Sequence, residues 1–425
     1  MGVSGWSRRA GSAAEGVVRK HHGDRLIPVF TILLMFVGLL IIYAIGPQRA
    51  NLMNSIFGYE YSDTYFFIKQ LVSFFLAMIA FWAMTLIPYN FLLKHSGKVL
   101  VAGFLACAVL AVMGWTGIIS GTLGAVRWFD LGPIGSIQPA EILKFGMLLY
   151  LAVFLGIRTK EGKINDLKET LLPVAAILGL AMLFVIIIQR DLGTGISLTS
   201  IAVMMLIVGG VSKKIIAALF GILVIAGMIL IFTSPHRVER VMTYLQGDST
   251  TTEDADAYHV QHAKIAIGSG GFWGVGIGNS VQASGYVPEA INDSIFAIIG
   301  ETFGFIGTVA LLALFVALLM RLLGVMDYLV DYRLKLLAAG VFGWLGAHVI
   351  LNIAAMIGIF PLTGITLPLL SYGGTSMIFI TAALGLVFQL SRYTVHPSRI
   401  KEVTHEDTRS RRGVGRTRYA SRRGA

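Results

Sequence analysis

The chain has 425 residues, 56% of them hydrophobic and only 13% charged, about half the charged share of a soluble domain. That balance excludes an ordinary water-soluble domain and fits a polytopic membrane protein. The formal charge of +11 invites a nucleic-acid reading, which the distribution of the charges disfavours, and the single cysteine, Cys107, excludes a disulfide within the chain.

Residues 1–25 form a polar, basic tail with Arg8, Arg9, Arg19, Lys20 and Arg25. No cleavable leader is expected, because the first apolar run is itself long enough to span. A spanning helix needs roughly 20 apolar residues. By that criterion the sequence predicts ten spans, near 26–45, 65–87, 98–117, 140–157, 170–188, 194–211, 214–233, 294–322, 335–359 and 376–392. The eighth is too long for one straight crossing and is expected to tilt or protrude. The fifth and sixth are separated only by the tight turn Gln189–Thr194.

Lys and Arg resist translocation and collect on the cytoplasmic side. With the N-terminus inside, 26 of the 34 Lys and Arg residues fall on that side. The remaining eight are Arg49, Lys69, Arg127, Lys144, Arg190, Arg237, Arg240 and Lys264, all outside or near outer span ends. The expected fold is therefore an all-α, ten-span membrane protein with both termini cytoplasmic. Its parts are a tail over 1–25, a membrane domain over 26–393 and a second basic tail over 394–425. A long extracytoplasmic loop, 234–293, separates spans seven and eight. The basic tails account for the net charge as a topology signal and an attraction for anionic membrane lipids, not for nucleic acid.

Four loops face out. The first, 46–64, holds Tyr59 to Asp63. The second, 118–139, is rich in Gly and Pro and reads as a shaped turn. The third is the long loop. It opens with a helical pattern over 235–245 suited to the membrane interface, continues through the acidic stretch 246–256, and is expected to form a short helix carrying Lys264 over Tyr258 to Ile267. The glycines from Gly268 to Gly278 lack the strand before them and the Lys-Ser/Thr after them that a nucleotide loop requires, so close backbone packing or close approach to a ligand is the better reading. The fourth, 360–375, is too apolar for a solvated loop and too rich in Pro and Gly for a spanning helix. Such backbone is tolerated at membrane depth only when it is buried in protein or lines a cavity, so this segment is expected to dip back and line a site.

Ionisable residues on spans are functional candidates, and three constellations stand at outer span ends. In Gln138-Pro139-Ala140-Glu141 with Lys144, Glu141 and Lys144 share a helix face. They make either a self-neutralising ion pair or a cation for an anionic substrate group, which Arg127 could join. In Gln189-Arg190-Asp191, Asp191 either caps the sixth span or pairs with Arg190 or Lys144. In the third, Asp293 opens the eighth span, as a helix cap or as a reactive carboxylate. Glu301 lies two turns further along, and His348 and Asn352 share a face of the ninth span. No cluster has zinc spacing. A hard divalent ion such as Mg2+ or Mn2+, held by carboxylates and phosphates, is compatible with the sequence but not compelled by it.

These motifs resemble the FtsW/RodA family, the SEDS proteins. The matching pieces are Arg127 to Gly132, Gln138 to Glu141 with Lys144, Asp191 to Thr194, Ala263 to Gly271, Pro288-Glu289-Ala290 with Asp293 to Ala297, Gly300-Glu301, Gly364 to Pro368 and Ser371 to Gly374. They run in family order from about 26 to 392, and the Gly-Ile-Thr-Leu-Pro form with the Arg-rich tail looks slightly more like FtsW than RodA. The resemblance implies a ten-span peptidoglycan glycosyltransferase that polymerises lipid II outside the membrane with a class B penicillin-binding protein as partner. It implies Asp293 as the catalytic carboxylate and implicates Glu141, Lys144 and Asp191. Lys144, Arg127, Arg190, Arg240 and Lys264 are the cations on the correct side for the leaving diphosphate, and Ser371 completes the expected substrate-binding set. The chain departs from the family at Arg190, where Pro is usual, at Ala140 for Ser, and at Ile291-Asn292 for His-Thr. The rival reading is a transporter that flips lipid-linked precursors. Transporters place their polar sites near the midplane, whereas the charges here crowd at outer span ends.

Overall fold

The computed structural model describes residues 21–119, 126–130, 132, 135–232, 238 and 255–395. Apolar runs become helices because every backbone polar group must be satisfied internally once water is excluded. In chain order these are α1 (Leu26–Phe57), α2 (Tyr65–Leu86), the short α3 (Tyr89–Lys94), α4 (Ser96–Trp115), α5 (Pro139–Lys160), α6 (Leu172–Met182), α7 (Leu192–Val208), α8 (Lys213–Phe232), α9 (Ala255–Ser269), α10 (Ile295–Tyr328), α11 (Tyr332–Met356) and α12 (Gly374–Leu390). Wider turns at Leu167–Leu171 and Leu183–Ile188 extend α6 at both ends.

Helices stand at all ten expected places. Eight segments are long and apolar enough to cross a membrane, counting α6 with its extensions; α7 is apolar but only 17 residues long, and α8 occupies the seventh place. Between α4 and α5 the described residues hold a small antiparallel ribbon, β1 (Phe129–Asp130) with β2 (Ser136–Ile137), the shaped turn expected there. The short helix with Lys264 is α9. The expected interfacial helix at 235–245 and most of the acidic stretch 246–256 lie outside the described residues, as do the tails at 1–20 and 396–425.

The eighth span differs from expectation. α10 is broken at Gly304, whose φ of 65° and ψ of −161° are not helical. The cause lies in the glycine-rich run before it. Val275 and Gly276 donate to the carbonyls of Glu301 and Thr302, while Phe305 and Ile306 donate to those of Gly271 and Phe272. The contact is backbone to backbone: a Cβ on Gly274 would lie 2.3 Å from the Thr302 oxygen. Gly274 thus serves close packing, one of the two readings the sequence left open.

Three helices form the centre. In α5, α11 and α12 with the turn after it, 72% of the apolar window is buried, against 22% in α2 and α4. The outer helices present their remaining apolar surface to lipid. α4 lies on α5, α2 on α12, α7 and α10 on α11, and α1 between α2 and α10. Glycines set the closest approaches, as membrane helix pairs favour. A Cβ on Gly385 of α12 would lie 2.4 Å from the Phe81 carbonyl oxygen of α2. Gly385→Val is expected to force these helices apart at about 1–3 kcal/mol, read as a lower melting temperature in detergent; an unchanged value would refute the close contact.

The two ends of the described chain meet. His21 donates its backbone N–H to Arg392 O at 3.0 Å and Asp24 donates its own to Ser391 Oγ at 2.8 Å. α1 continues to Phe57, so the first expected loop shortens to 58–64; it gathers with 126–130, 135–138, 189–191 and 357–373 at the opposite end, with α9 and the turns before α10. There the chain from 361 to 373 is irregular yet buried at Leu362, Ile365, Leu367, Leu369, Leu370 and Ser371. Its Leu370 backbone seats on Gly38 of α1, where a Cβ would lie 2.5 Å from the Leu370 oxygen. Gly38 is about 18 Å along α1, near mid-membrane, so this segment dips back as expected.

Candidate active site

Asp293 ends a run of turns just before α10, where Ser294 takes the N-cap position. The carboxylate is half-buried beside a helix N-terminus, whose dipole favours an anion. The turn around it is held from three directions. From α11, Asn352 Nδ2 donates to the Asp293 carbonyl at 2.7 Å. From the re-entrant segment, Tyr372 N donates to the Ile291 carbonyl at 2.8 Å. From α9, His259 Nε2 meets the Ser294 hydroxyl, which donates to the Pro288 carbonyl at 2.8 Å. Glu289 sits at a φ of 49° and is bound by Arg49 at 3.3 Å.

The first two constellations join. Glu141 and Lys144 form an ion pair of 2.7 Å, with side chains 3% and 1% exposed, and Lys144 Nζ lies 4.9 Å from the centre of the Trp344 ring. Burial this complete makes Lys144 a structural partner of Glu141 rather than a free cation. One turn before, Gln138 Nε2 donates to Asp191 Oδ2 at 3.0 Å. Asp191 caps α7, accepting from the Thr194 N–H and hydroxyl at 2.9 and 2.8 Å, so it pairs with Gln138 and Thr194 instead of Arg190 or Lys144. Arg127 donates to two carbonyls of the same turn, Gln189 at 3.1 Å and Arg190 at 2.7 Å.

The re-entrant segment links this half to Asp293. Gly193 packs on it, with a Cβ there falling 3.1 Å from the Thr363 oxygen and 2.7 Å from Ile365. The Ile365 carbonyl and the Asp293 carbonyl share one donor, Asn352, at 2.7 Å each. Ser371 Oγ closes a turn of the segment by accepting from Leu367 N at 2.9 Å. Asn352→Leu would leave two carbonyls without this donor, at about 1–3 kcal/mol each. The expected result is a clearly lowered melting temperature, and a thermal scan matching the parent would refute the clamp.

Other expected residues fall elsewhere. Glu301 turns to the loop, accepting from the Ser280 hydroxyl and from Val281 N and Gln282 N at 3.0 and 3.2 Å. Lys264 is exposed and lies across Gly358 at the C-terminal end of α11. Arg240 is outside the described residues. His259 and Ser294 were not legible as site residues; the only signal was a histidine on the polar helix preceding Asp293. Among the described residues no three His, Cys, Asp or Glu side chains are grouped to hold a metal. Among the described residues the non-glycine positions with positive φ are Arg190, Glu289 and Leu369, one in each of these three segments, and such strain gathers at functional sites.

The fold defines a polytopic helical membrane protein. The family model described as a cell cycle protein, covering FtsW, RodA and SpoVE, matches residues 24–396. The chain belongs to this FtsW/RodA/SpoVE family. It is 31% identical over 381 residues to stage V sporulation protein E of Bacillus subtilis, covering 88% of this chain and 99% of that protein. It is 33% identical over 343 residues to a probable peptidoglycan glycosyltransferase FtsW of Escherichia coli, covering 78% and 79%. Its fold matches a chain from a study of a peptidoglycan synthase complex in which polymerization and crosslinking are coordinated, with TM-score 0.68 at 24% identity over 87% and 98% of the two chains. It also matches the rod shape determining protein RodA of Thermus thermophilus, with TM-score 0.60 at 23% identity over 88% and 98%. The FtsW leaning of the motifs accords with these relatives.

Proposed function

We propose that the protein is a peptidoglycan glycosyltransferase that polymerises lipid II into β-1,4 glycan strands on the outer face of the cytoplasmic membrane. The observation that carries the reading is the placement of Asp293: a half-buried carboxylate in a turn fixed by α9, α11 and the re-entrant segment, on the face away from the basic termini. The Lys and Arg bias puts both termini, 1–25 and 394–425, in the cytoplasm, and the meeting of residues 21–24 with 391–394 is consistent with an even number of crossings.

In the proposed reaction the 4-hydroxyl of an acceptor GlcNAc attacks the anomeric carbon of a lipid-linked donor. Asp293 takes the hydroxyl proton, the new C–O bond forms, and the anomeric carbon–phosphate oxygen bond breaks with its electron pair leaving on undecaprenyl diphosphate. A single displacement inverts the α-linked donor to a β bond. Glu141, Lys144, Asp191, Arg127 and Ser371 build the wall opposite, Lys264 adds a cation at the end of α11, and Arg240 is assigned to the same outer loop. A class B penicillin-binding protein transpeptidase is the proposed partner. The flippase alternative is disfavoured because the charged groups gather at one face rather than at the midplane. The test is glycan-strand formation from lipid II by purified protein with its partner. Absence of polymer, together with movement of labelled lipid II across vesicles, would replace this reading with the transporter.

A further inference from the structure

The turn between α6 and α7 carries a basic residue, Arg190, directly before Asp191, the cap of α7. The backbone at Arg190 has a φ of 53°. Arg127 holds it in place, donating to the carbonyls on both sides of the Gln189–Arg190 peptide junction, at 3.1 and 2.7 Å.

The cations at this face have unequal freedom. Lys144 is bound to Glu141 and 1% exposed. Arg127 is held through Nε and Nη2 on the two carbonyls. Lys264 lies across Gly358. The Arg190 side chain is exposed, and among the described residues its guanidinium has no hydrogen-bond or ion-pair partner. It nevertheless belongs to the site: the next residue, Asp191, is bound by Gln138, Gly193 packs on Thr363 and Ile365, and Ile365 shares the Asn352 amide with Asp293.

We propose that Arg190 is a substrate-binding residue, an exposed guanidinium on the turn beside the site that takes the diphosphate of the lipid-linked donor. A planar fork of N–H donors matches phosphate oxygens, and a cation there meets the charge that develops on the leaving group. The inference rests on the glycosyltransferase reading and adds the residue that receives the diphosphate.

The test uses the full chain in detergent, as wild type, Arg190→Gln and Arg190→Lys, with two readouts: equilibrium binding of undecaprenyl diphosphate and kcat/KM for lipid II with the partner present. Arg190→Gln is expected to weaken diphosphate binding and lower kcat/KM by about 10-fold or more, the order of one charge-assisted contact. The melting temperature should not change, and Arg190→Lys should recover part of the loss. Raising salt should narrow the gap between wild type and Arg190→Gln. Equal diphosphate binding by wild type and Arg190→Gln overturns the proposal. So does inorganic pyrophosphate binding as tightly as the lipid, since the site then selects no lipid-linked donor. If the wild type binds undecaprenyl diphosphate through Arg190 but makes no polymer, the diphosphate assignment stands and the glycosyltransferase reading falls.

Discussion

Asp293→Asn will insert and fold as the parent does and will lose polymerisation of lipid II by about 10²–10⁴-fold, the usual contribution of a positioned proton acceptor. The expectation follows from how the residue is held. Its backbone carbonyl is bound by Asn352, and the neighbouring turn is fixed through Ile291 and Ser294. None of these bonds needs the carboxylate. Asn keeps the shape of Asp but has no basic oxygen at neutral pH. The measurement is strand formation from lipid II by purified protein and partner, with the melting temperature of each variant alongside. Strand formation at the parent's rate in a folded Asp293→Asn protein would remove the general-base role.

Lys144→Met will destabilise the protein strongly, by about 3–5 kcal/mol, because it leaves the Glu141 carboxylate buried without its cation. Met approximates the volume of the lysine stem, so the loss reports charge and not a cavity. The paired replacement Glu141→Leu with Lys144→Met is expected to recover most of that stability, since apolar residues often replace a buried ion pair at little cost. Thermal unfolding of the two proteins in one detergent decides the point. A double variant no more stable than Lys144→Met alone would show that the buried charge is not the cause.

The ten helices were legible because a bilayer demands long apolar runs, and the re-entrant segment because Pro361, Pro368 and its glycines contradict its apolarity. The break in α10 was not. Gly304 stands inside an apolar run, and what breaks the helix is a backbone pairing with residues about thirty positions earlier, which no local pattern displays. Glu301, which stands before that break, serves the loop at 280–282, a partner distant in pattern though not in space. At the site, charge was legible and its commitments were not. Asp191 fits its capping alternative. Arg127 was grouped with Lys144 as a substrate cation, but its partners are backbone carbonyls, which every residue carries and no sequence singles out.

The pairing around Gly304 also bears on how the family can change. The glycine-rich run supplies partners for carbonyl and amide groups that the interrupted helix leaves behind. Losing either side alone would strand those groups where unsatisfied backbone is expensive. A side chain at Gly274 blocks the approach as surely as regular helical angles at Gly304 remove the need for it. These two glycines are therefore one inherited character in two places, and lineages should keep both or replace both.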